Sequence, residues 1–169
     1  MIEREMLETL KTPDDAPARS RRAARSARHR ARELVIQGLY EWRVGGRDAA
    51  AIEAHLPELE GFEKADQALY LSLFRGVLGQ AEALVPLLSP CLDRVFDELS
   101  PVEASILLLG AYEFQAHPET PYRVVINEMV ELAKSFGGTD GHKFVNGVLD
   151  KLGKKLRPLE TRSAPQAQP

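Results

Sequence analysis

Ala31-Arg-Glu-Leu-Val-Ile-Gln-Gly-Leu-Tyr-Glu-Trp42 decides the fold class. Ala31, Leu34, Val35, Gly38, Leu39 and Trp42 recur at i, i+3, i+4, i+7, i+8 and i+11. That is one apolar face of an α-helix about four turns long. Gly45-Gly46 supplies a C-terminal stop.

Downstream the helical spacing continues. Asp48 is placed to cap a short helix reaching about His55, and Leu69, Leu73, Gly76 and Val77 mark a third. Leu84 to Leu88 is apolar but holds Pro86, which predicts a bend or a helix end. Leu92 to Leu99 reads as another short helix. Ser100-Pro101-Val102-Glu103 has the form of a capping box with proline at the first helical position. Thr120-Pro121 repeats the cap-plus-proline logic. The helix it opens presents Val125, Met129, Leu132, Ala133 and Phe136 on one side, and Gly137-Gly138 ends it. Asp140 then caps a last helix with Phe144, Val145, Val148, Leu149, Leu152 and Leu156 inward. No segment alternates with period two. The expected fold is all-α, a compact bundle of about seven short helices.

Three regions are expected. Residues 1–18, with Pro13, Asp14, Asp15 and Pro17, read as a flexible extension. Residues 19–157 form the helical domain. Residues 158–169, with Pro158, Pro165 and Pro169, read as a disordered tail.

Upstream of the periodic helix lies Arg19-Ser-Arg-Arg-Ala-Ala-Arg-Ser-Ala-Arg-His-Arg-Ala-Arg32. Arg25, Arg28, Arg30 and Arg32 belong to a stretch with no acid from Ala16 to Arg32. Arginine offers planar, multi-donor contacts to phosphate and can stack on bases. Alone, the segment should repel itself and be poorly ordered, becoming helical when phosphates neutralise it. The alternative is a solvated helix end, although such a face usually mixes both signs. The whole chain of 169 residues carries a net charge of -3. The local stripe is therefore more telling than the total, because phosphate contacts are local.

A second cluster is Lys134-Ser-Phe-Gly-Gly-Thr-Asp-Gly-His-Lys-Phe-Val-Asn146. A glycine-rich turn between helices gathers Phe136, His142, Lys143 and Phe144. Its new helix could offer backbone N–H groups to phosphate, and a phenylalanine could stack on a base. The competing reading makes both phenylalanines core and Asp140 a simple cap. Asn127-Glu128 and Asn146 read as polar residues within apolar helices that fix register by hydrogen bonding.

Catalytic signals are weak. His29, His55, His117 and His142 lack metal-ligand spacing, and no nucleophile elbow or P-loop occurs. Cys91 is the single cysteine, so no internal disulfide or cysteine zinc site is expected, and burial is its default state. No apolar run approaches the roughly 20 residues of a membrane span, and no signal peptide opens the chain. A non-enzymatic cytoplasmic protein without cofactor or metal is expected.

Three segments carry a family resemblance. Arg28-His-Arg-Ala-Arg-Glu-Leu-Val-Ile-Gln-Gly-Leu-Tyr-Glu-Trp42 resembles the opening helix of the NusB family. Val125-Ile-Asn-Glu-Met-Val-Glu-Leu-Ala-Lys-Ser-Phe136 and His142-Lys-Phe-Val-Asn-Gly-Val-Leu-Asp150 resemble its two C-terminal signatures. The likeness spans about Arg28 to Leu156.

The resemblance implies two small helical subdomains. It implies a transcription antitermination factor that binds single-stranded boxA RNA of nascent ribosomal RNA transcripts with ribosomal protein NusE. It also implies partnership with other Nus factors and RNA polymerase, and some family members form homodimers. By matching positions, RNA would meet Arg28, Arg30, Arg32, Gln37 and Tyr40 on the first helix. Phe136, Asp140, Lys143 and Phe144 at the later turn, and Glu103 in the capping box, would complete the surface. NusE is expected between Val102 and Met129. Arg19 to Arg25 have no secure family counterpart, and Leu108 stands where arginine is common.

Two other readings compete. NusB-like domains also precede the catalytic domain of some ribosomal RNA methyltransferases, but this chain lacks the length and glycine-rich loop of a methyl-donor domain. A helical adaptor or homodimer with non-specific RNA binding is the remaining alternative.

Overall fold

Alanine and arginine are both strong helix formers, and the first helix runs straight through the basic stretch. The computed structural model describes residues 17–163. The expected N-terminal extension lies outside the described residues except for Pro17 and Ala18. Helix α1 spans Ala18–Gly45 without a break. Charge repulsion favoured disorder upstream of Ala31, yet the helix nucleated by the buried half propagates back through Ala27, Ala24 and Ala23. Gly46 ends it in the left-handed conformation, φ 62°, which suits a residue without Cβ.

Helix α2, Ala49–His55, is capped by the Asp48 side chain, which accepts from Ala50 N at 3.4 Å. Two 3-10 turns, Leu56–Glu58 and Phe62–Lys64, lead to α3, Gln67–Leu88. Asp66 caps α3 by accepting from Leu69 N at 3.0 Å. Pro86 neither ends nor splits α3. It falls in the last turn, where only one backbone bond is forfeited.

By length and composition α3 and the turn after it, Gln67–Cys91, could cross a membrane, with a mean hydropathy of 1.3. A search for unbroken apolar runs overlooks it because Arg75 and Glu82 interrupt the pattern. In the bundle its Tyr70, Leu73, Phe74, Val77, Leu84 and Leu88 are buried core residues.

The short helix expected over Leu92 to Leu99 is absent. That stretch is extended at Leu92, Val95 and Leu99 and holds one 3-10 turn, Phe96–Glu98. Its apolar residues serve as anchors: Phe96 and Leu99 are buried.

Helix α4, Pro101–Ala116, is the centre of the molecule. Every residue from Ala104 to Phe114 is buried, Leu108 included. It packs against α1, α3, α5 (Tyr122–Phe136) and α6 (Gly141–Leu156). The groups α1–α3 and α4–α6 thus share one contiguous core. Seven α-helices and no strand occur among the described residues.

The last helix, α7, covers Pro158–Ser163, where the sequence favoured a disordered tail. Arg157 explains it. Its buried guanidinium donates to the carbonyls of Glu113, Phe114, His117 and Thr120 and to Glu160. Glu113 and Phe114 lie in the last turn of α4 and His117 is its C-cap residue, so the guanidinium gathers the carbonyls of that helix end. Glu160 in turn accepts from Tyr122 N at 2.8 Å. The start of α5 is therefore capped from α7, and Thr120 makes no side-chain cap.

Candidate nucleic-acid interface

The outer half of α1 stands clear of the core. Ala18 to Ser26 are all exposed, and so is Arg28. Arg19, Arg22, Arg25 and Arg28 make no ion pair among the described residues, so their donors face solvent. No acid lies in the first turn to offset them. A helix bearing several cations at its N-terminus opposes its own dipole, and an anionic ligand would relieve that conflict.

Arg30 and Arg32 behave differently. Arg30 is half-buried; its guanidinium lies against Gly61, donates to the Glu60 carbonyl and pairs with Glu33 at 3.4 Å. Arg32 is 3% exposed. Its Nε donates to Glu113 Oε2 at 3.0 Å and its Nη2 to Glu113 Oε1 at 2.7 Å. Glu128 lies 3.7 Å away and also bonds His29 at 2.8 Å. Burial works to lower the guanidinium pKa, but the hydrogen bond and charge of Glu113 outweigh it and the pKa is raised. Arg32 is therefore a tie between α1, α4 and α5, with its side chain 4% exposed and its Nε and Nη2 taken by Glu113.

About three turns further along, roughly 18 Å beyond Arg28 on the helix axis, Gln37 and Tyr40 meet Phe136. Together with Ile36, Glu41, Leu59 and Val102 they line a mostly apolar hollow of about 460 Å³. Tyr40 is 42% exposed, and Phe136 is half-buried at the end of α5. An open hollow with two aromatic rings at its wall can take a flat, unstacked base.

The glycine-rich turn adjoins this hollow. Gly137 stops α5 where a Cβ would collide with the Ala133 carbonyl at 2.6 Å. Ser100 caps α4 by accepting from Glu103 N at 3.2 Å. The Glu103 carboxylate lies against Gly141 instead of closing the expected capping box. Asp140 is the N-cap residue of α6 but makes no side-chain cap bond. Its exposed carboxylate lies 3.4 Å from Lys143 Nζ. Asp140, Lys143 and Glu103 are thus brought together beside Val102.

Phe144 is half-buried, and the Arg94 guanidinium sits 5.0 Å above its ring centroid. Arg94 escaped the sequence reading because it is a single arginine in a loop, with no motif around it. Arg43, in the last turn of α1, lies 5.1 Å over the Phe96 ring, a partner that no local pattern announces. Asn127 and Asn146, read as embedded polar residues, are exposed and line a second cleft with Tyr122 and Asp150.

The profile of the NusB family matches residues 29–154, the stretch that carries every feature above except the outer arginines. The chain belongs to the NusB family.

Two NusB relatives illustrate the likeness. The transcription antitermination protein NusB of Dechloromonas aromatica (strain RCB) is 55% identical over 160 residues, 95% of this chain and 98% of that protein. The protein of the same name from Nitrosospira multiformis is 62% identical over 129 residues, 76% and 82% of the two chains. Among solved structures, T. maritima NusB superposes with a TM-score of 0.68 at 28% identity, covering 80% of this chain and 96% of that one. A chain from a crystal structure of the antitermination factors NusB and NusE in complex with dsRNA shares the fold, with TM-score 0.61 and 24% identity over 75% and 96% of the chains.

Proposed function

We propose that this chain is a transcription antitermination factor that binds boxA RNA of nascent ribosomal RNA transcripts together with ribosomal protein NusE. In this reading it joins the other Nus factors on RNA polymerase in the cytoplasm. It acts by binding and carries out no catalytic step. The observation that carries the reading is the pairing of an exposed arginine helix with an aromatic-walled hollow on one continuous helix, α1. The first suits phosphates and the second suits a base, the two demands of single-stranded RNA recognition. The solved NusB–NusE complex with dsRNA lends support for both partners. The hollow beside Tyr40 supports a preference for single strands, because a base paired and stacked in a duplex cannot enter it.

In this proposal Arg25 and Arg28 contact phosphates. Arg30 contributes charge while it is held by Glu60, and Gln37, Tyr40 and Phe136 receive a base. Asp140, Lys143, Glu103 and Phe144 extend the surface at the turn. NusE would dock on the C-terminal helices between Val102 and Met129.

The test is titration of a single-stranded boxA RNA, and of the same sequence as duplex, with and without NusE at two salt concentrations. Tighter, sequence-dependent binding of the single strand with NusE present is expected. Equal binding of any RNA, independent of NusE, would replace this reading with a non-specific RNA-binding adaptor.

A further inference from the structure

Phe144 offers less open ring than its place in the turn implies. It packs against the core cluster on α6, and Arg94 covers the ring from the loop between α3 and α4. A base cannot stack on a ring face that already holds a guanidinium. The pair instead presents the guanidinium itself to solvent. The Arg94 side chain is 45% exposed. Only its Nε is engaged, donating to Asp93 Oδ1 at 3.0 Å. Among the described residues no hydrogen bond is made by its two Nη groups. These are the fork that matches a phosphate with two parallel bonds.

The surroundings give this fork a purpose. Lys143 precedes Phe144 on α6 and is exposed. Carboxylates crowd the area: Glu103 and Glu98 act on Arg94 through space, and Asp93 is its direct partner. Without Arg94 the turn would repel RNA at Asp93, Glu98, Glu103 and Asp140, leaving Lys143 as a nearby cation. We propose that Arg94, supported on the Phe144 ring, is a phosphate-binding residue of the RNA surface, and that Phe144 acts as its platform. This inference rests on the RNA reading above. It takes a backbone phosphate of single-stranded RNA as the ligand.

The platform matters because an exposed arginine loses rotamer freedom on binding. Contact with the ring restricts the guanidinium beforehand, and a cation over an aromatic face is attracted to it. Lysine would keep the charge but lose the fork.

The experiment titrates single-stranded boxA RNA with the full chain and with Arg94→Ala, Arg94→Lys, Phe144→Leu and Arg94→Ala/Phe144→Leu, across a salt series. Arg28→Ala serves as the reference. Arg94→Ala should weaken binding roughly tenfold, as expected for a charged hydrogen bond, and flatten the log K against log salt slope by about 0.7. Arg94→Lys should restore the slope but not the full affinity. Phe144→Leu should weaken binding, and the double variant should bind no worse than Arg94→Ala alone. Parental affinity and slope in Arg94→Ala, with Arg28→Ala impaired, would overturn the role of Arg94 and leave the RNA surface standing. Parental binding in both would overturn the RNA reading as well. Additive losses in the double variant would overturn the platform and assign Phe144 a contact of its own.

Discussion

Arg32 and Glu113 face each other as a doubly hydrogen-bonded ion pair, with side chains 4% and 1% exposed. Glu113 lies on the central helix α4, so the pair fixes the arginine-bearing helix to the middle of the bundle. A buried pair of this kind adds little over a well-packed apolar pair, but leaving one charge alone is costly.

Arg32→Ala should therefore act on stability. A loss of about 3–5 kcal/mol is expected in denaturant unfolding. Glu113→Ala should cost a similar amount, and the double variant less than the sum, since no charge is left unpaired. At temperatures where Arg32→Ala stays folded, the salt slope of RNA binding should match the parent. A flattened slope in the folded variant would return Arg32 to the RNA surface.

Arg25 and Arg28 carry the opposite expectation. Both are exposed. Replacing the two by alanine should leave the melting temperature within error. The slope of log K against log salt should fall by about 1.4, twice the single-strand increment. An unchanged slope would remove α1 from the phosphate-binding surface.

The contrast between these arginines marks what the sequence can convey. The apolar period of Ala31 to Trp42 and of Val125 to Ala133 reports burial directly, and the structure buries Leu34, Leu39, Met129 and Leu132. Arg32 is buried through a partner 81 residues away, which no local pattern announces. Leu92 to Leu99 has helical composition, but its side chains anchor a loop, a choice made by tertiary packing. The same holds for α7, whose order depends on Arg157 reaching four carbonyls on other segments and on Glu160. At the site, only the family resemblance put Tyr40 and Phe136 on one surface; no local pattern announces that they line one hollow with Val102. Arg94 stood alone in sequence and acquires significance only above the Phe144 ring.

Tyr40→Ala tests the hollow. Loss of one stacking platform should weaken single-stranded RNA binding by about 1–3 kcal/mol, with the salt slope retained because no phosphate contact is lost. Tyr40→Phe should keep most of the affinity. Gel-shift or anisotropy titrations at two salt concentrations separate the outcomes. A slope change in Tyr40→Ala would mean that the hollow acts by positioning the backbone.

The contact between α7 and α5 predicts a pH dependence of stability. Glu160 accepts from Tyr122 N and pairs with Arg157. The backbone hydrogen bond from Tyr122, followed by the Arg157 bond and charge, holds its pKa below the ordinary value of 4.5. A carboxylate with a depressed folded pKa contributes stability above its unfolded pKa, and that contribution fades as pH falls through the folded value. Glu160→Gln should therefore lower the melting temperature at neutral pH, and the gap from the parent should narrow as pH drops below about 4.5. Melting curves from pH 7 to pH 3 give the comparison. Parallel curves over that range would show that the charge of Glu160 adds nothing to the cap on α5.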